Sequence, residues 1–143
     1  MICAAVVAVY KAHMLKYLAI ILACLMLATP AFAGDGAEKS FVKKRYSIKG
    51  SAKVEMVEGQ SQLVFSDDFK TKNGPDLKVY LSKLPIEELT AKTVNKSSIR
   101  LSVLKSNKGA QSYSIPDDID LNDYRSVIIH CQAYSVLWGG FDL

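Results

Sequence analysis

From Gly34 to its last residue the chain never sustains the 3.6-residue apolar repeat of an amphipathic helix. It runs instead in short alternating stretches separated by turn formers. Ala52-Lys53-Val54-Glu55-Met56 alternates apolar with charged residues, and Glu58-Gly59-Gln60 reads as a hairpin turn into Gln62-Leu63-Val64-Phe65. Leu77, Val79 and Leu81 share one face of the next stretch, which follows the turn formers Asn73-Gly74-Pro75. Ile99 to Leu104 alternates again, and Gln111 to Ile115 is stopped by Pro116. Pro85 to Lys96 reads as a surface excursion with one short helical turn. Short strands at this spacing predict an all-β domain: an antiparallel sandwich or barrel of about seven to eight short strands with little helix.

The first 33 residues stand apart. Met14-Leu15-Lys16 is a short basic start, Tyr17 to Leu27 an apolar core, and Ala31-Phe32-Ala33 a small-x-small cleavage signal behind Pro30. This order predicts export to the periplasm or medium, with residues 1–33 removed and 34–143 forming one domain. Met1 to His13 fits the signal poorly, which points to translation starting at Met14. The alternative is a lipoprotein cut at Cys24; apolar residues running straight past that cysteine argue against it.

Two of the chain's 18 basic residues fall in this leader and none of its 14 acidic ones, so the mature chain carries a net charge of +2. Both signs are interspersed, so nothing favours nucleic acid or an anionic membrane as a partner. No transmembrane segment is expected in the mature chain. Of the three cysteines, Cys3 and Cys24 go with the leader. Cys131 is left alone, and without an internal disulfide it is buried, reactive or bound to something.

Cys131 lies in the stretch richest in chemistry, Ser126 to Leu143. Val127-Ile128-Ile129 fits a largely buried strand. Alternation puts Val127, Ile129, Cys131 and Ala133 on one face, and Ile128, His130, Gln132 and Tyr134 on the other. Cys131 thus points inward, and His130 outward as a semi-exposed polar residue. The two cannot form a local dyad without a bulge between them. An ordinary hydrolase is disfavoured, because His130 faces away from Cys131 and His13 lies in the leader. The missing Cys-x-x-Cys and Cys-x-x-Cys-His patterns argue against dithiol exchange and covalent haem.

Gly74-Pro75-Asp76-Leu77-Lys78-Val79-Tyr80-Leu81-Ser82 and the run from Leu104 to Pro116 resemble the electron-transfer DM-thirteen domain family. So do Ile119-Asp120-Leu121, Tyr124, Ser126 to Ile129, Cys131 and Val136-Leu137-Trp138-Gly139. The resemblance implies an exported domain, found elsewhere beside DOMON modules, with a redox role for Cys131 as a bare thiol or as the holder of a prosthetic group such as haem. Cys131, His130, Trp138 and Tyr134 are the expected site residues, and the partner would be a redox or envelope protein. The chain departs from the family pattern at His130, where an aromatic is expected, and at Phe141, where a small residue is usual. The other reading is a non-catalytic binding or envelope-associated sandwich with Cys131 in its core. A redox or ligand thiol must be reachable, so a pocket is expected at Cys131, walled by Trp138 and Tyr134, with Gly139 and Gly140 admitting a ligand to the backbone. The leader makes one direct forecast: N-terminal sequencing of the exported protein should begin at Gly34, and a lipid-modified Cys24 at the terminus would refute it.

Overall fold

The computed structural model describes residues 36–143; the leader and its expected cleavage point lie outside them. In chain order the strands are β1 (Lys39–Ser40), β2 (Val42–Lys43), β3 (Ile48–Lys49), β4 (Ser51–Val57), β5 (Gln60–Phe65) and β6 (Lys70–Thr71). They continue as β7 (Leu77–Ser82), β8 (Ser98–Val103), β9 (Gln111–Ser114), β10 (Ser126–Cys131) and β11 (Val136–Asp142). One helix, α1 (Ala91–Ser97), precedes β8, and a 3-10 turn (Leu121–Asp123) precedes β10. Four of the strands are two-residue pairings, which leaves seven of substantial length. All strand pairs are antiparallel. One sheet has the order β1-β4-β5-β9, the second β2-β11-β10-β7-β8, and a small third pairs β3 with β6. The sandwich predicted from alternation is the fold observed.

The inner faces of the two large sheets meet in one apolar core. Leu63, Phe65 and Tyr113 come from the first sheet; Val79, Leu81, Val127, Ile129, Cys131 and Phe141 come from the second. Phe41 sits where the chain leaves β1 for β2 and so crosses from one sheet to the other. Its ring meets Phe65 edge-on at 5.0 Å and Phe141 edge-on at 5.2 Å, an arrangement favoured by ring quadrupoles. The segment before Phe41 is not the loose tail that its small polar residues suggest. β1 pairs with β4, and the Gly36 N–H donates to the Val54 carbonyl at 3.0 Å.

A second apolar layer lies on the outer face of the second sheet. Ile86, Leu89 and Val94 pack there on Tyr80, Ile128 and Leu137. The 85–96 segment is therefore a cover, and the single helical turn expected in it is a pair of turns followed by α1. Thr90 starts the helix: its N–H donates to the Thr93 hydroxyl at 3.0 Å, which satisfies one of the donors a helix start leaves open. The cover is tied down where it begins. The Asp142 carboxylate accepts from the Ile86 N–H at 2.7 Å, and the Ser126 hydroxyl donates to the Leu84 carbonyl at 2.7 Å. All six residues of β10 are buried as a result.

If both faces of β10 are core, Ile128→Ala on the outer face should destabilise the domain as much as Ile129→Ala on the inner face. Each should cost about 2–5 kcal/mol. Urea unfolding of the two variants is the check. A change within about 0.5 kcal/mol at Ile128, as for an exposed site, would contradict the cover.

Candidate functional site

The end of β10 that carries His130 and Cys131 is flanked by β7 and β11. Cys131 pairs with Leu77 on one side and Val136 on the other; His130 pairs with Lys78 and Leu137. Asp76 and Lys78 clamp this end. The Gln132 N–H donates to the Asp76 carbonyl at 3.0 Å, the Lys78 ammonium lies 3.2 Å from the Asp76 carboxylate, and it also donates to the Gln132 side chain.

A bulge on β11 decides which face each side chain takes. Ile129 pairs with Gly139 but His130 with Leu137, so Trp138 is the extra residue. Without it, regular pairing would set Trp138 opposite His130 on the outer face. The bulge keeps Trp138 in the inner core and sends Leu137 to the outer cluster. It lies on the neighbouring strand and leaves β10 regular, so His130 and Cys131 remain on opposite faces.

Cys131 is fully buried among the apolar residues of the inner core, as alternation predicts, and it is the free cysteine of the described residues. His130 faces outward, but it is not semi-exposed: its relative exposure is 0%. The cover over the outer face is the cause. The Tyr80 ring meets it edge-on at 5.8 Å, and neither ring nitrogen has a hydrogen-bond partner. Desolvation holds its pKa below the ordinary histidine value. The neighbouring buried serines, by contrast, are bonded to the cover through Leu84 and Ser97.

The expected pocket wall of Trp138 and Tyr134 exists. It encloses about 250 Å³ together with Tyr46, Lys72, Asn73, Pro75 and Val136. Cys131 does not line it, although its strand neighbour Val136 does. On the other side, Asn73 to Leu77 and Val103 to Asn107 line a second, more polar hollow, reached by the other neighbour, Leu77. Cys131 therefore lies beneath two hollows and opens into neither. Tyr46 and Trp138 stack obliquely, with ring centroids 4.2 Å apart, and the Lys72 ammonium stands 5.8 Å from the Tyr46 centroid. Tyr46, Lys72, Asn73 and Pro75 carried no signal of a site in the sequence. Lys72 to Pro75 reads as turn chemistry, and only the tertiary fold brings it to Trp138. Gly139 and Gly140 serve strand contact and not ligand approach: a Cβ would strike the Val42 carbonyl oxygen at Gly139 and the Val127 carbonyl oxygen at Gly140.

Haem does not fit these residues as they are packed. An axial ligand must face a cavity. Cys131 and His130 are both fully buried, on opposite faces of one strand, and neither lines the hollows found along the described residues. No group of three or more His, Cys, Asp or Glu side chains gathers as a metal site among the described residues.

A family model described as Electron transfer DM13 matches residues 40–143. The chain belongs to that family. No curated protein and no solved structure matches it. In this electron-transfer DM13 domain the match spans the sandwich from β1 to β11, including Cys131, His130, Tyr134 and Trp138. None of the helices among the described residues is long and apolar enough to cross a membrane.

The buried histidine gives a signed pH forecast. An unfolded chain binds a proton at His130 near the ordinary value of about 6.5, whereas the folded protein resists binding to a lower pH. Stability contributed by the neutral ring is present above that value and is lost as pH falls from there through the folded pKa. The urea midpoint should fall between pH 7.5 and pH 5, and His130→Phe should reduce that fall. Equal falls in both proteins would mean that His130 does not titrate with unfolding.

Proposed function

We propose that this domain is an exported electron carrier whose redox-active group is the Cys131 thiol. The family match along residues 40–143 carries this reading. Support comes from Cys131 being the free thiol of the described residues, and from the core it shares with Trp138, whose ring also reaches the surface pocket. The leader motif Ala31-Phe32-Ala33 supports export. Full burial shapes how the thiol would work. A bulky disulfide partner cannot reach a sulfur with no exposed surface, so exchange would require the β10–β11 end to open. Two-electron oxidation by a small hydroperoxide is the more accessible route. The sulfur takes the terminal oxygen as the O–O bond breaks, giving a sulfenic acid and an alcohol or water, and two equivalents of a small thiol return it to the thiol, leaving as their disulfide and water. The partner is a redox or envelope protein, and the reading does not depend on haem.

One observation favours a second reading, a binding module with a structural cysteine: Cys131 is fully buried and lines neither of the two hollows that its strand neighbours reach. Cys131→Ser separates the two in folded protein. If the thiol carries electrons, the variant loses the reversible oxidation step in a redox titration followed by mass spectrometry of the sulfur. If Cys131 is core, the step is absent from both proteins. The variant then loses only stability, about 1–3 kcal/mol for a buried hydroxyl without a partner.

A further inference from the structure

The pocket beside Trp138 has features that a structural reading leaves unused. Its outer wall is Tyr134, 72% exposed, the most uncovered large apolar residue of the domain's described part. Its inner wall is the Tyr46–Trp138 stack. Gly74 packs so closely on that wall that a Cβ would come within 3.0 Å of the Trp138 ring. Three aromatic rings and Pro75 thus frame a narrow apolar space.

The polar groups at the rim have no task in the fold. Among the described residues the Lys72 ammonium makes no ion pair, its recorded neighbour being the Tyr46 ring, and the Asn73 side chain makes no hydrogen bond. The indole N–H of Trp138 is buried without an acceptor. The residues lining the pocket therefore supply the Lys72 ammonium, the Asn73 amide and two tyrosine hydroxyls, with no carboxylate among them. A cavity of about 150 Å³ holds one benzene, so about 250 Å³ suits one substituted six-membered ring and excludes a fused macrocycle. A sugar ring also stacks on aromatic faces. Its many hydroxyls would need more polar partners than Lys72, Asn73 and the two tyrosine hydroxyls supply.

We infer that this pocket binds a single planar ring of the hydroquinone–quinone class, stacked between Tyr134 and the Tyr46–Trp138 pair, with a ring oxygen accepting from Lys72 and a hydroxyl donating to Asn73. The choice of a redox-active ring rests on the electron-transfer reading; the binding geometry does not involve Cys131.

Trp138 is the chain's only tryptophan, so its fluorescence reports the pocket directly. Fully reduced protein is titrated anaerobically with methylhydroquinone, and separately with maltose. The expected result is saturable quenching by methylhydroquinone and no response to maltose. Tyr134→Ala should weaken binding about tenfold, equivalent to the ~1.4 kcal/mol of an aromatic pair. Lys72→Met should weaken it severalfold while circular dichroism stays unchanged; both side chains are exposed, so the fold tolerates their loss. Linear quenching unaffected by either substitution, or saturable binding of maltose that Tyr134→Ala abolishes, would overturn the assignment. Because the protein stays reduced and only binding is read, a failure of the thiol reading leaves this result standing, and the reverse also holds.

Discussion

Everything in this domain depends on β10 being core on both faces. A strand in a two-layer sandwich normally alternates between an apolar side and a wet side. Here the 85–97 segment folds back over the second sheet and closes the wet side. The hairpin partner β11, the neighbour β7, the cover and the first sheet across the inner core must then fit one strand from four directions. The cover also explains why Ser82 and Ser126 are bonded to it: a buried hydroxyl is costly unless it is paired. His130 breaks that rule, with two ring nitrogens buried and unpaired. It is the one place in the central strand where polarity has been accepted without a partner.

The β11 bulge distributes the remaining roles. One extra residue decides which layer each neighbour serves, Trp138 the inner core that also holds Cys131 and Leu137 the layer under the cover. In regular register the two would change places, and the indole would leave the inner core. With the bulge, the same indole belongs to that core and lines the aromatic pocket.

The strand pattern was legible because alternation is local. Val54, Leu63, Val79 and Tyr113 announce their faces within a few residues. The inward aim of Cys131 followed from the same rule. The burial of His130 was harder to read, although Val127-Ile128-Ile129 held a clue: an unbroken β-branched run is the mark of a strand covered on both sides. What could not be read was the identity of the cover, because Ile86, Leu89 and Val94 sit in a segment of turns and one short helix with little periodicity of its own. Tyr134 and Trp138 were found from their position in the closing hairpin. Tyr46 and Lys72 were missed because they reach the pocket from distant parts of the chain, and no short-range pattern records such a meeting.

The crossing at Phe41 also bears on how the domain comes into being. β2, among the first residues of the domain, pairs with β11, among the last, and β1 locks onto the opposite sheet just before it. Closing a loop of nearly the whole domain is entropically slow, and its enthalpic return arrives only when both ends are present. A nascent chain of this design stays pliable until its final strand has been synthesised, and the two ends then fasten the sandwich together.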